Sequence, residues 1–373
     1  MPSTARAESL PDLPGATLTP LAFSDLEGWA ADDHEAAFRV FRATCARLLD
    51  PDPALRPGLP PPPALLATCR AALEDAPGEA RAFFERRFLP LRIRTGQGDG
   101  TGFLTGYYEP EVPGSLTPDA TYSTPVLGRP PDLVTLKQGE SAPGLDPALA
   151  AARRTPAGLE PYPDRGAIWD GALAGQGLEL LYLADKVELF MAQVQGSARV
   201  RLPDGRVLRL VYAGRNGRPY TSIGKVVVSE GRLPLERADL AGLKAWLRAN
   251  PEEGERVMRL NRSYIFFALG EGLDPDAGPI GGASVPLTPL RSIAVDRALW
   301  PYGLPFWIRG EVTLGPGASL AEGRLWIAQD TGSAILGPAR ADLFIGSGDQ
   351  AGLQAGGIRH RAEFTVLWPR ALP

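Results

Sequence analysis

In Leu325-Trp-Ile-Ala-Gln-Asp330-Thr-Gly-Ser-Ala-Ile-Leu-Gly-Pro-Ala-Arg-Ala-Asp342-Leu-Phe-Ile-Gly-Ser-Gly348, an apolar run of strand length delivers Asp330 into Thr-Gly. A loop of small residues follows, and Asp342 then opens a second apolar run that ends in Gly-Ser-Gly. Two carboxylates therefore stand at strand ends beside glycines. A carboxylate set against apolar neighbours favours its protonated form, and a second carboxylate nearby raises one pKa further, which is how a protein acquires a general acid near neutral pH. The plainer alternative is that both aspartates cap turns.

Asp-Thr-Gly is also the signature of aspartic proteases, whose chemistry needs two aspartates sharing one proton. A single-chain enzyme of that kind carries a second Asp-Thr/Ser-Gly far along the sequence, and none occurs here. The residue before Asp330 is the polar Gln329, and 373 residues far exceed a half-site that pairs with its own copy.

That length exceeds what one core ordinarily serves, so two domains are expected. Apolar residues at 44% and charged residues at 22% are those of a folded protein, while 43 glycines and 38 prolines predict many turns. A net charge of -4 argues against nucleic-acid binding, which needs a basic footprint. No run is long enough for a transmembrane helix and the start lacks the apolar core of a signal peptide; the protein is then cytosolic, or an export segment lies outside this chain. With only Cys45 and Cys69, a thiolate zinc cluster is excluded, and neither a metal nor a cofactor is expected. The two cysteines fall on successive helical stretches, as buried thiols or, in an exported protein, as a disulfide.

In chain order, residues 1–20 read as an extended proline-rich arm, followed by helices near 33–49, 63–75 and 78–88 broken by proline runs. Gly102-Phe-Leu-Thr-Gly-Tyr-Tyr-Glu-Pro110 reads as a strand ending in exposed aromatics and an acid, suited to sugar stacking and hydroxyl binding; a core tyrosine with a surface glutamate is the alternative. Residues 123–173 read as loop-like, containing Leu133-Val-Thr-Leu-Lys137 and a Pro/Gly/Ala-rich span, with Glu160-Pro-Tyr-Pro-Asp-Arg165 before a short helix. Strands are then expected at 178–183 and 187–195, and a hairpin at 198–212 turning on Pro203-Asp-Gly205. Strand alternation would put Gln193, Gln195 and Ser197 on one polar face, either solvated or built for hydroxyls and acetamides. Helices follow around Leu240, Leu243 and Leu247 and over 252–260, then a strand led in by Asn261-Arg-Ser-Tyr264. The final third reads as strands throughout, at 291–295, 305–310, 325–329, 343–345 and 363–368, with Asp296 closing the first; a small barrel of about six strands would bury them.

Taken in order, Gly106-Tyr-Tyr-Glu109, Pro161-Tyr-Pro, Gln193-Val-Gln-Gly-Ser197, Tyr220-Thr-Ser-Ile-Gly224, Asn261-Arg-Ser-Tyr-Ile-Phe-Phe267, Val285-Pro-Leu-Thr-Pro-Leu-Arg-Ser-Ile-Ala-Val-Asp296, Asp330 and Asp342 resemble the membrane-bound lytic murein transglycosylase A family. The resemblance spans roughly 100–368. It implies a mainly β chain with N-terminal helices: a double-psi β-barrel catalytic domain, named for three aspartates, and a second β-barrel-like insert facing it across a glycan groove. The corresponding boundaries are 21–122 with 271–373 for the first domain, its three-aspartate part at about 275–370, and 123–270 for the insert. Departures are Ala198, where glycine is commoner after Gln-Gly-Ser, and the absence of the usual N-terminal lipoprotein cysteine.

The resemblance further implies cleavage of the β-1,4 bond between N-acetylmuramic acid and N-acetylglucosamine in peptidoglycan, leaving 1,6-anhydromuramyl ends. Asp342 would be the single catalytic acid, Asp330 its supporting partner and Asp296 the third aspartate. Tyr108, Glu109, Gln195, Ser197, Tyr220, Ser222, Asn261 and Tyr264 are the candidates for holding glycan. A periplasmic monomer is expected, anchored in its native form to the outer membrane, with cell-wall synthesis or division proteins as partners. Two rival readings remain at this point: an expansin-like module that binds glycan without cutting it, and a hydrolase in which Asp330 or Asp296 activates water.

Overall fold

Asp33 opens the first helix, its carboxylate accepting the Ala36 N–H at 3.0 Å, and an apolar stripe of Phe38, Phe41 and Cys45 then buries one face of α1 (His34–Leu48). Proline at the first position starts α2 (Pro63–Glu74), and α3 (Ala80–Arg87) contributes Phe83 and Phe84 to an aromatic cluster with Phe38, Phe41 and Phe88. Cys45 and Cys69 are joined as a disulfide that ties α1 to α2, with 4.8 Å between their Cα atoms. The structure is a computed structural model that describes residues 13–74, 78–96, 100–136, 140, 144–270, 277–315 and 318–371. The arm expected over 1–20 lies outside the described residues up to 12; beyond it, Ala16–Pro20 is a strand paired antiparallel with Phe88–Thr95.

The chain divides into two units, the first comprising Met1–Tyr107, Ile280–Gly346 and Gly357–Pro373, the second Tyr108–Pro279 and Ser347–Gly356. The strands of the first unit's sheet run in the order Ala16–Pro20, Phe88–Thr95, Arg359–Pro369, Pro305–Arg309, Arg324–Asp330, Ser292–Val295, Arg340–Ser347, Gly102–Glu109. Arg359–Pro369 is long enough to pair twice along one edge, through Phe364 to Pro369 with Phe88–Thr95 and through Arg359 to Ala362 with Gly102–Glu109. Six strands thereby close into a ring of hydrogen-bonded neighbours. One pairing in it, Ser292–Val295 with Arg324–Asp330, is parallel. Both strands are buried almost from end to end, which explains why they read as unbroken apolar runs rather than as alternating ones.

In the second unit the sheet order is Ile265–Leu269, Val207–Arg215, Ala198–Arg201, Glu111–Ser115, Glu179–Leu183, Thr124–Leu127, and a parallel bridge from Gly128 to Phe267 links its two ends. The hairpin pairs Ala198 with Leu210, and Gly205 takes the left-handed conformation (φ 88°) that its turn demands. The loop-like span also holds a small sheet of Leu133–Thr135, Ala151–Thr155 and Gly158–Pro161. Its Ala-Ala-Arg-Arg core has little intrinsic strand preference, which hid it.

After α4 (Arg165–Trp169), two sequence expectations are overturned. Residues 187–195 are helical, not extended: α5 (Lys186–Gln195) is capped by Asp185, which accepts the Glu188 N–H, and ended by Gly196 in the left-handed region. Val187, Phe190 and Met191 bury its inner side at helical spacing against α6 (Ile223–Ser229), α7 (Leu240–Ala249) and α8 (Pro251–Leu260). The final third is also not all strand, because α9 (Gly348–Gly356) interrupts it and belongs to the second unit.

Candidate active site

Ala294 sits between the two key carboxylates. It pairs with Asp330 on one neighbouring strand and with Asp342 on the other, so both side chains leave the same face of the sheet. Two strand spacings put their Cα atoms about 10 Å apart. Asp342 receives a hydrogen bond of 2.5 Å from the Thr105 hydroxyl, which in turn accepts one of 2.7 Å from the Arg340 guanidinium. Arg340 is on the same face of the strand as Asp342, and its guanidinium lies over the Phe103 ring. Burial lifts the Asp342 carboxyl to about 6, and the negative charge of Asp330 adds to the rise, while Arg340 and the Thr105 hydrogen bond oppose it.

Asp330 is held differently. One oxygen accepts the Gly282 N–H at 2.8 Å and lies 3.8 Å from Arg56; the other accepts the Tyr107 hydroxyl at 3.0 Å. Burial, followed by the charges of Asp330 and Asp342, keeps the Tyr107 phenol well above its ordinary pKa, so it serves as a fixed donor. Gly282 must lack a side chain: a Cβ there would stand 2.6 Å from the Tyr302 hydroxyl and 3.3 Å from the Asp330 carboxylate. Beneath the pair, Tyr107, Leu287, Ala294, Ile335 and Phe344 form a buried apolar floor that strips water from the carboxyls.

Asp296, the third aspartate, is turned to loop building. Its oxygens accept the N–H groups of Ala298 and Gly337, at 3.0 and 2.8 Å, and so pin the turn after Val295 and the end of the loop that connects Asp330 to the Asp342 strand. Thr105, Tyr107, Arg56 and Arg340 were not among the sequence candidates. The alternation Phe103, Thr105, Tyr107 along one strand face carried the signal for two of them; Arg56, in an irregular stretch, carried none.

In the second unit the structure corrects several expectations. Glu109 is not an exposed acid at a strand terminus: it is fully buried, with Arg199 and Arg209 each at 2.9 Å and the Ser347 hydroxyl donating to it at 2.8 Å. Tyr108 is buried against Gly352, and its backbone N–H donates to the Gln195 side chain at 3.2 Å. Tyr264 is a core residue beside Phe266, and Asn261 is buried, its side chain accepting the Thr221 N–H. Both belong to the surroundings of Arg165, which is buried and donates to Gln193 and to the carbonyls of Asn261 and Ser263 among the rings of Trp169, Phe190 and Tyr264. Burial lowers the Arg165 guanidinium to about 10. Two of the motifs, Gln193–Ser197 and Asn261–Phe267, thus converge on one buried cation, for the physical reason that its donors need fixed acceptors. Ser197 is buried behind the α5 cap, while Gln195, Tyr220 and Ser222 keep partial exposure. Among the described residues no group of three or more His, Cys, Asp or Glu side chains is arranged to hold a metal ion.

Comparison with known proteins agrees with this architecture. Residues 103–268 match the MltA specific insert domain, and residues 291–368 match the 3D domain. A membrane-bound lytic murein transglycosylase A from Vibrio cholerae is 34% identical over 284 residues, covering 74% of this chain and 67% of the relative. Its counterpart in Escherichia coli K12 is 31% identical, with 71% and 65% covered, so the chain spans about two thirds of the length of these relatives. Among solved structures, the membrane-bound lytic murein transglycosylase from Agrobacterium tumefaciens superposes with a TM-score of 0.85 at 36% identity, covering 95% of this chain and 98% of that one. MltA from Neisseria gonorrhoeae gives 0.77 at 31% identity, covering 97% and 95%. The chain belongs to the membrane-bound lytic murein transglycosylase A family.

Proposed function

We propose that this protein cleaves the β-1,4 bond between N-acetylmuramic acid and N-acetylglucosamine of peptidoglycan, with Asp342 as the only acid/base. The observation that carries this reading is the asymmetry of the carboxylate pair. Asp342 is lifted to about 6 by burial, whereas both oxygens of Asp330 are already engaged by Gly282 and Tyr107. A glycosidase that uses water needs a second carboxylate free to act as base or nucleophile. An intramolecular nucleophile removes that need.

In this mechanism protonated Asp342 gives its proton to the glycosidic oxygen as the bond to muramyl C1 breaks. The resulting carboxylate then takes the proton of the muramyl 6-hydroxyl while O6 bonds to C1, which restores the acid and leaves a 1,6-anhydro end. No water is consumed. The 6-hydroxyl belongs to the ring it attacks, so orientation lowers the barrier without a further protein group. Asp330 tunes Asp342 by its charge, and Asp296 shapes the loop between them.

The closed ring of six strands with one parallel pair supports the double-psi barrel reading of the first unit. Of the second unit's candidates, Gln195, Tyr220 and Ser222 retain the exposure that glycan contact needs; Glu109, Asn261 and Tyr264 instead support that unit's interior. The relatives' membrane-bound designation supports a periplasmic protein associated with the outer membrane. No described helix is long and apolar enough to cross a membrane. The decisive variant is Asp342→Asn, which should fold and lose essentially all release of soluble muropeptides from purified peptidoglycan. Retention of most of the wild-type rate would refute the assignment.

A further inference from the structure

The strand that carries Asp330 is irregular at the residue before it. Ile293 pairs with Ala328, but Ala294 pairs with Asp330, so Gln329 is an inserted bulge residue with no partner of its own in the register. Strand side chains alternate, and without the insertion Ala294 would face Gln329 and Asp330 would leave the opposite face of the sheet from Asp342. The bulge is what brings the two carboxylates to one side.

Gln329 is fully buried, and its amide is held in one orientation. The Thr44 hydroxyl on α1 donates to the Val40 carbonyl at 2.8 Å, so it offers a lone pair, which receives the Gln329 Nε2–H at 2.8 Å. Ser292 Oγ accepts the Thr288 N–H at 2.7 Å and spends its proton on Gln329 Oε1. A donor is needed at one end and an acceptor at the other, which a neutral amide supplies and a carboxylate or thioether of similar length does not. The backbone is fixed as well: the Gln329 carbonyl accepts the Ala283 N–H at 2.9 Å, next to the Gly282 N–H that binds Asp330.

We propose that Gln329 is a positioning residue for the Asp330–Asp342 pair, and that α1 acts on it through Thr44. This rests on the reading that Asp330 tunes Asp342. The helices are then more than a scaffold, since a hydroxyl with no route to substrate sets where the Asp330 charge stands. The charged and titratable groups around the pair are Arg56, Tyr107 and Tyr302 near Asp330, and Arg340 with Asp330 itself near Asp342.

The test compares Thr44→Val, which keeps the shape and removes the hydroxyl, with Thr44→Ser, which keeps the hydroxyl, on soluble uncrosslinked glycan strands. With thermal midpoints close to wild type, Thr44→Val should lower kcat about tenfold with KM within twofold, and move the alkaline limb of the pH profile toward acid; Thr44→Ser should restore both. Should Thr44→Val be poorly folded, Gln329→Met, scored on the pH limb of its folded fraction, carries the same expectation. A folded Thr44→Val or Gln329→Met protein with the wild-type pH limb and kcat overturns the proposal. So does an equal loss in Thr44→Ser. Asp342→Asn, assayed alongside, separates the two claims: if it is inactive while Thr44→Val is wild type, only the positioning role falls, whereas an active Asp342→Asn removes the reading beneath it.

Discussion

Asp342 is a carboxyl whose usefulness costs stability. Its folded pKa of about 6 lies above the ordinary value of an unfolded aspartate, so the native state binds the proton more tightly and stability falls as pH rises from about 4 through 6. A shift of roughly two units corresponds to about 3 kcal/mol forfeited at neutral pH. Asp342→Asn should therefore be more stable than wild type at pH 7, by up to that amount in urea titrations, and the gain should vanish near pH 4. In the proposed mechanism the same proton governs catalysis, so kcat/KM should fall as pH climbs through about 6 and the acid is lost. Asp330 contributes to that raised value, so Asp330→Asn should move the fall in kcat/KM to lower pH while leaving measurable activity. An unmoved limb would contradict the tuning role. The sequence singled out both aspartates beside apolar runs; Asp330 does end its strand, whereas Asp342 is the third residue of Arg340–Ser347. The alternation of Phe103, Thr105 and Tyr107 marked Thr105 as a strand-face residue, but its contact with Asp342, 237 positions away, depends on strand pairing that is not local.

At the scale of elements, buried strands of the first unit were readable because burial on both faces writes an unbroken apolar run. The failure at α5 has the same cause in reverse: Val187-Glu-Leu-Phe-Met-Ala-Gln-Val is a short apolar run, and periodicity over so few residues does not separate a buried helix from a strand. The Asp185 cap and the Gly196 stop were the better signals. Glu109 is an acid at a strand end that the structure buries between two arginines. Glu109→Ala would leave the buried Arg209 and the partly buried Arg199 without their anion, and should cost about 3–5 kcal/mol in chemical denaturation. In the helical layer, the disulfide closes a loop of 24 residues' separation. The combined variant Cys45→Ser and Cys69→Ser should lower unfolding free energy by about 3 kcal/mol, read from the urea midpoint. A midpoint equal to wild type would show that α1 and α2 are held without the bond.

For the whole molecule, length led to the expectation of two domains and the family resemblance to that of an insert at 123–270; the structure divides the chain into two units, and the return of residues 347–356 to the second had no sequence signature. The net charge argued against polyanion binding but said nothing of glycan. In the proposed mechanism Asp342 is the poised acid, while both oxygens of Asp330 are engaged by Gly282 and Tyr107, and the nucleophile comes from the substrate. Digestion of purified peptidoglycan in heavy-oxygen water, followed by mass analysis of the muropeptides, measures this directly. The muramyl ends should be one water lighter than hydrolysis products and carry no label; labelled reducing ends would show that water attacks, and would contradict the mechanism.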